Sequence, residues 1–326
     1  MKITVLASGG KLDHYLEDVA FFLGRRGAES SFVSLESLNA PGPLSFILPR
    51  RVRRFRALKR LISRGGGVDV LMINSSRMPF DLYELREMFP GKIVIYDMEG
   101  PNFRGFADPG WISVVDLVIT VSKYSARQLS RKFGNVRYLP HGVNPERFHR
   151  VEPGKEFLSP LAFVGRPSPH RAEYLSLAAG PELRIYGRKW SDPAIAVPER
   201  LRRCAYGEDV HDEALLAAIS GCSVFVNILQ DQYKDLKTLM NLQTFMVPAC
   251  RSCLVTEYVE ELPEAFEPGR EVAAFKSPEE FRELTARYSR DAAAASAIAE
   301  AGFRRCMADH TLDIRAAQML KLIGEL

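Results

Sequence analysis

Short apolar runs recur through the first half of the chain: ITVLA at Ile3–Ala7, then SSFVSL, VDVLMIN, KIVIYD, DLVITVS and finally VRYLP. Between several of them lie longer stretches with helical spacing, the first from about Asp13 to Arg26, where Gly27 stops it. The runs are continuous rather than alternating, so they predict strands covered on both faces, and helices between such strands predict a parallel sheet. A polar, proline-containing connection follows near Glu152–Lys155, and the pattern then restarts. LAFVGR (Leu161–Arg166), ELRIYGR, CSVFVNIL and SCLVTE read as strands, with a helix around Glu213–Ser220 and another ending near MVPAC; from Pro278 onward the chain reads as helix.

The pattern therefore predicts an α/β protein of two wound units, each of a size suited to a mononucleotide-binding fold, divided into a first domain over 1–150 and a second from 151 onward. YLPHGVNPERF, Tyr138–Phe148, lies where one sheet ends and the next begins. Pro, Gly, Asn and Pro set such a turn, and the segment is expected to be the hinge.

Composition adds limits. A length of 326 residues with 46% hydrophobic and 26% charged positions is ordinary for two soluble domains, and a net charge of +4 is too mild to imply nucleic acid. No apolar run approaches the ~20 residues of a membrane-spanning helix, and MKITVLASGG offers too short an apolar stretch for a signal peptide, so a cytoplasmic protein is expected. The cysteines Cys204, Cys222, Cys250, Cys253 and Cys306 are odd in number and do not suggest a disulfide framework. Cys250 and Cys253 form a lone CxxC inside apolar VPACRSCLV, which reads as buried core thiols rather than zinc or redox chemistry.

Five segments in order carry a resemblance: VITVSKYSARQLSRKFGNVRYLPHGVNPERF, AFVGRPSPHRAEYL, LRIYGRKW, NLQTFMVPACRSCLVTEYVEELPEAFEPGREVAAFKSPEEF and IAEAGFRRCMADHTLDIRAAQML. Together they resemble GT-B glycosyltransferases, in particular the bacterial group named for the spore-maturation protein CgeB. The resemblance implies two Rossmann-like domains with parallel sheets facing across a cleft. It places a nucleotide-sugar donor on the C-terminal domain, 151–305, and an acceptor on the N-terminal one, with the last helix, 306–326, crossing back. It further implies transfer of a hexose from a UDP- or other NDP-hexose to a glycan, lipid-linked or protein acceptor, without a metal or other cofactor.

Such an enzyme must stabilise the charge that builds on the leaving phosphate, which basic side chains and a helix N-terminus can do. Gly165 and Arg166 follow a strand at its C-terminal end, where open α/β sheets bind ligands, and Arg171 comes just after PSPH. Gly187 and Lys189 end the next strand, Gly187 permitting close backbone approach and Lys189 offering a second phosphate contact. AYGEDV resembles the family segment beside the base, which nominates Tyr206 and Val210. In NLQTFMVPACRSC the family has Arg, then Phe-Glu, then Ala-Cys-Gly, the Glu accepting from ribose hydroxyls. Here Gln243, Met246 and Arg251 stand in those positions. Met246 cannot accept a strong hydrogen bond, so Gln243, Thr244 and Arg251 are candidates for new roles, unless donor binding has been lost.

For the general base, YDMEGPNF places Asp97 and Glu99 at a strand end of the first domain, and His14 follows the first glycine turn, beside an Asp13 better suited to capping a helix. Whether transfer inverts or retains the anomeric carbon depends on that assignment. FILPRRVRRFRALKRLISR, Phe46–Arg64, combines an apolar stripe with an arginine-rich face. It suits either a helix packed on its sheet or a peripheral contact with anionic membrane or a polyanionic acceptor. Two other functions fit: a non-catalytic nucleotide-sugar-binding or scaffolding subunit on the same fold, and a nucleotide-sugar epimerase. A dehydrogenase fits poorly, because ASGGKLD lacks the GxGxxG spacing.

Overall fold

The structure, a computed structural model, describes residues 1–7, 13–34, 55–56, 58–60, 62, 67–74, 81–100, 109–207 and 209–326. The chain divides into two compact units, Met1–His141 with Leu312–Leu326, and Gly142–Thr311. The division falls inside Pro-His-Gly-Val-Asn-Pro, between residues that the sequence marks as a turn.

The first unit holds a six-stranded sheet of order β2-β1-β3-β4-β5-β6. Its strands are β1 (Lys2–Ala7), β2 (Glu29–Ser34), β3 (Val70–Asn74), β4 (Lys92–Asp97), β5 (Leu117–Thr120) and β6 (Val136–Tyr138), each pairing parallel with its neighbour. All five residues of β3 are buried, as an unbroken apolar run between two helical layers requires. On one face Leu71, Ile73, Ile93, Ile95 and Val118 pack against Leu82, Leu85 and Phe89 of the helix Leu82–Met88 and its end. Each such side chain contributes about 1.5 to 3 kcal/mol by leaving water. The last helix, Leu312–Gly324, joins this unit, where Arg26 pairs with Asp313 and Arg315 Nε donates to the His141 carbonyl at 3.2 Å.

The second unit holds a five-stranded parallel sheet of order β11-β10-β9-β7-β8, made of β7 (Ser159–Val164), β8 (Leu183–Tyr186), β9 (Cys222–Asn227), β10 (Cys253–Glu257) and β11 (Ala273–Phe275). The sequence reading did not foresee β11, because three residues, Ala-Ala-Phe, carry no periodicity. Leu161, Phe163, Ile185, Val224, Val226, Val255 and Phe275 form the sheet side of its core, covered by Leu175, Phe281 and Ile298 from helices. Two of those helices begin alike: Ser168 and Ser277 cap Pro169–Leu177 and Pro278–Arg290, each with proline in the first turn. A serine oxygen satisfies an orphan N–H, and proline lacks one to satisfy.

Cys222, Cys250 and Cys253 are buried and free, and burial pushes the thiols of Cys250 and Cys253 up to about 12. They are core side chains, held protonated. In the basic segment Phe46–Arg64, the described positions 55, 56, 58–60 and 62 are helical. Leu58 is buried in the first core with Phe55 and Ile62 against it, whereas Arg56, Lys59 and Arg60 are exposed. The remainder, including Arg50, Arg51, Arg53 and Arg54, lies outside the described residues, as does the segment SGGKL.

Candidate functional site

In an open parallel sheet, ligands bind at the strands' C-terminal ends where the strand order reverses. In the second unit the chain runs outward from β7 to β8 and then returns past β7 to β9, so the reversal lies between β7 and β9. The residues leaving those strands are Gly165 and Arg166 on one side and Ile228 and Leu229 on the other.

Arg171 spans that gap. Only 5% exposed, it donates from Nε to the Ile228 carbonyl at 3.1 Å and from Nη1 to the Arg166 carbonyl at 3.1 Å, and its guanidinium lies over the Phe163 ring. Burial lowers its pKa to about 10, with Asp231 and Glu257 acting in the opposite direction, so it stays charged at neutral pH. Arg171 is thus a buried cation fixing the two strand ends. Arg166 differs: its side chain is exposed and, among the described residues, has no hydrogen-bond or ion-pair partner.

Around Arg171 stands a polar cluster. His170 Nε2 lies 3.0 Å from both carboxylate oxygens of Glu257, the last residue of β10, and Glu257 also accepts the Leu229 N–H at 3.0 Å. The His170 N–H donates to Asp231 Oδ1 at 3.2 Å. Burial opposes ionisation of Asp231, yet hydrogen bonds from Ser168 and the His170 N–H hold its carboxyl below the ordinary value. On the other side of the reversal, Asn227 Nδ2 donates to Asn241 at 3.2 Å and to the Thr244 and Thr256 hydroxyls at 3.4 and 3.2 Å. That network, with Gln243 Nε2 on the Val164 carbonyl at 2.9 Å, fixes the start of the helix Gln243–Ala249 to the ends of β7 and β9. Gln243 and Thr244 therefore stand beside the reversal as anchors.

Gly187 has a local reason to be glycine. A Cβ there would lie 2.2 Å from the Gly165 carbonyl oxygen, and its φ is +153°. Trp190 Nε1 donates to that same oxygen at 2.7 Å, so Gly165 is held from the β8 side. Lys189 is exposed with φ +78°, while its neighbour Arg188 pairs with Asp209 at 2.7 Å. Tyr206, 42% exposed, lies under the Arg184 guanidinium, and its N–H donates to the Ile185 carbonyl at 2.8 Å, extending β8 by one bridge. Val210 is half-buried three residues past Gly207.

Met246 lies one turn into the helix Gln243–Ala249 and is half-buried. Arg251 belongs elsewhere. It follows that helix's C-cap with φ +52°, precedes β10, and stacks its guanidinium 4.0 Å from the centre of the Phe303 ring beside Glu300. This is the N-terminal end of the sheet, opposite the strand ends that carry Arg166. The glycine expected at this position is thus explained by backbone conformation rather than by a ligand.

In the first unit Asp97 is fully buried at the end of β4. It accepts from the Thr120 hydroxyl at 2.5 Å and from the N–H groups of Glu99 and Gly100 at 3.0 and 3.2 Å. Its carboxylate shapes the turn that carries half-buried Glu99. His14 is exposed in the first turn of the helix Asp13–Arg25, 3.8 Å from Glu17. Asp13 is that helix's first residue and accepts from Ser34 Oγ at 2.9 Å. Arg315, Tyr15 and His141 cluster beside β4, and burial followed by the Arg315 charge lowers the His141 pKa to about 3.

Sequence reasoning missed His170, Asp231 and Glu257. Glu257 is the last residue of β10, Asp231 lies four residues past β9 and His170 sits in the first turn of the helix that follows β7; nearness to a strand's C-terminal end was the available signal for all three. Among the described residues no group of three or more His, Cys, Asp or Glu side chains is arranged to hold a metal ion.

Residues 170–321 match the family model described as glycosyl transferase-like. No curated protein matches the sequence. Solved structures match along its whole length. Sucrose-phosphate synthase from Thermosynechococcus elongatus is similar at 17% identity and TM-score 0.69, covering 99% of this chain and 98% of its own. Anabaena HepE in complex with UDP-glucose is similar at 12% identity and TM-score 0.70, with all of both chains covered. AviGT4, a glycosyltransferase involved in avilamycin A biosynthesis, follows at 14% identity and TM-score 0.61, covering 100% of this chain and 97% of its own. Residues 170–321 are thus similar to a glycosyl transferase-like family model, and the two-sheet α/β fold matches that of GT-B glycosyltransferase structures along the chain.

Proposed function

We propose that the protein is a glycosyltransferase of the CgeB-like group. It moves a hexose from a nucleotide sugar, UDP-hexose first among them, to a glycan, lipid-linked or protein acceptor without a metal. The observation that carries this reading is Arg166: a guanidinium without a partner among the described residues, at the C-terminal end of β7, next to the strand reversal and the start of the helix Pro169–Leu177. A cation and a helix N-terminus at one point form an anion site, and a diphosphate is the anion that a glycosyl donor brings. The UDP-glucose and UDP complexes of HepE support the choice of nucleotide.

In the proposed reaction the bond from the sugar C1 to the diphosphate oxygen breaks, the acceptor oxygen bonds to C1, and the acceptor proton passes to a base. Arg166 stabilises the charge left on the diphosphate, and the buried charge of Arg171 adds to the local positive potential. Glu99 and His14 are the base candidates, with Asp97 holding the turn behind Glu99. Gln243 and Thr244 hold the edge where the ribose would lie, Tyr206 and Val210 stand on the side of the base, and Lys189 is available to the distal phosphate.

Arg166→Ala is expected to weaken UDP-glucose binding by about 1.5 to 3 kcal/mol, because a charge-assisted contact to phosphate is lost. Titration calorimetry with unchanged affinity would remove Arg166 from the site. UDP-glucose turnover separates this enzyme from a binding subunit on the same fold, a reading that Met246 favours by offering the ribose no acceptor. Binding without hydrolysis or transfer across a panel of acceptors would establish the second reading. No helix among the described residues is long and apolar enough to cross a membrane. We place the protein in the cytoplasm with peripheral contact through Phe46–Arg64, which sedimentation with anionic vesicles at low salt would test.

A further inference from the structure

We propose that Asp231 sets the affinity of the donor site, its carboxylate occupying the place at the start of the helix Pro169–Leu177 that the donor's phosphate takes on binding. The inference rests on the glycosyltransferase reading above and adds a competitor within the chain itself.

The first turn of that helix has few N–H groups to offer. Pro169 has none, the His170 N–H goes to Asp231 Oδ1 at 3.2 Å, and the Arg171 N–H goes to Ser168 Oγ at 3.4 Å. The Ala172 N–H is taken by the Ser168 carbonyl at 2.9 Å. A phosphate approaching this terminus therefore meets a carboxylate already seated there. Charge accounting agrees with the geometry. Arg171 is buried and needs a counter-charge, which Asp231 and Glu257 now provide. Glu257 is held by the His170 ring and the Leu229 N–H, and Asp231 by the Ser168 hydroxyl and the His170 N–H; of the two, Asp231 is the one seated on the helix's first N–H and so the one an incoming anion would replace. Asp231 also rides on a short helix, Asp231–Lys234, whose N-cap Gln230 makes no side-chain capping bond. The segment after it is held at Lys237, whose carbonyl accepts the Glu260 N–H at 3.0 Å, and at Thr238 and Leu239, which donate to the buried carboxylate of Glu261 at 2.8 Å each. Arg166, just before the helix Pro169–Leu177, is the second cation that a diphosphate gains on arrival and that Asp231 does not engage.

Exchange of one anion for another predicts a particular signature. Asp231→Asn keeps an amide oxygen for the His170 N–H, and so keeps the cap, but removes the charge that competes with phosphate. UDP should bind the variant roughly threefold to tenfold more tightly than the wild type, the size expected from removing one partly screened like charge. Uridine, which has the base and ribose but no phosphate, should bind both proteins alike. Titration calorimetry with UDP and uridine on wild type, Asp231→Asn and Asp231→Ala, with melting temperatures of all three, tests the idea. Tighter UDP binding with uridine unchanged, in either folded variant, supports it. Weaker or equal UDP binding, or equal changes for UDP and uridine, overturns it and makes Asp231 a structural cap. If neither wild type nor variants bind UDP or uridine, the glycosyltransferase reading fails and this proposal falls with it. Wild-type binding without the UDP-specific gain sinks this proposal alone.

Discussion

The first and second units each end a central strand on a carboxylate, Asp97 at the end of β4 and Glu257 at the end of β10, yet the two sit in different surroundings. Asp97 is fully buried and receives one hydroxyl and two backbone N–H groups. Its neighbours are buried too: Tyr96 behind it, the Tyr15 hydroxyl 3.4 Å from that of Tyr96, and Arg315. Glu257 is held by the His170 ring and the Leu229 N–H and stands beside Arg171. Two sheets of similar winding therefore differ in what their strand ends leave available. The described edge of the first is closed by its own hydrogen bonds, while the second keeps cationic groups at its strand reversal. The difference teaches that strand-end position alone does not make a carboxylate a reactive group; the donors already spent on it decide.

The largest expected effect comes from opening the closed edge. Asp97→Ala leaves the Thr120 hydroxyl and two N–H groups of the Met98–Gly100 turn without their acceptor in a buried setting. At about 1 to 3 kcal/mol for each unsatisfied donor, with partial relaxation, a loss of about 3 to 5 kcal/mol is expected. Asp97→Asn, which keeps one acceptor oxygen, should lose less than half of that. Urea unfolding of both variants measures the difference, and an Ala variant as stable as wild type would show that the carboxylate does not hold the turn.

Much of this was legible in the sequence, for identifiable reasons. Continuous apolar runs such as VLMIN and KIVIYD can be satisfied only by burial on both faces, so the parallel sheets followed from them. Ser-Pro at 168–169 and 277–278 marks helix starts because cap and first-turn chemistry are local. β11 was missed because Ala273–Phe275 is too short for a period to register. The strand-end rule nominated Arg166, but it could not show that Arg171 spends its donors on carbonyls at the ends of β7 and β9. Nor could it show that Asp231 and Glu257, 60 and 86 positions from Arg171, close around it. Those partnerships are set by three-dimensional register, which spacing along the chain does not encode. Arg251 shows the reverse error, since a departure that suggested altered ligand chemistry lies at the other end of the sheet.

An intermediate effect sharpens the comparison through pH. Burial, and then the charge of Arg315, lowers the His141 pKa from 6.5 to about 3, with the Tyr15 ring edge-on against it. Above about pH 6.5 folded and unfolded chains both hold this histidine neutral, and it contributes no pH dependence. Between 6.5 and about 3 the unfolded chain takes up a proton that the folded chain refuses, so stability falls as pH falls, by on the order of 1 kcal/mol per unit. His141→Phe, which keeps a ring against Tyr15 without the titration, should flatten that slope. Other groups titrate in the same range, so the test is the difference between the two stability curves from pH 7 to 4.5. Parallel curves would mean that His141 is protonated in the folded state.

The smallest effect belongs to the control at the opposite end of the second sheet. After the helix Gln243–Ala249 the Arg251 N–H returns to the Pro248 carbonyl at 2.9 Å and the Ser252 N–H to the Val247 carbonyl at 3.3 Å, the paired bonds of a helix end whose closing residue must be left-handed. A side chain there costs roughly 1 kcal/mol relative to glycine. Here the cost is offset by the guanidinium over Phe303 and the Glu300 pair, together worth about 0.5 to 1 kcal/mol. Arg251→Gly exchanges one for the other and should change stability by no more than about 0.5 kcal/mol. Arg251→Ala keeps the left-handed strain and discards the stacking, so it should be the less stable of the two by about 1 kcal/mol. Glycine outlasting alanine in a urea titration is the opposite of the order in a helix interior, which makes the ranking diagnostic. Neither change should alter UDP affinity. A loss of binding in both variants would bring Arg251 into the donor site and undo the contrast between the two ends of the sheet.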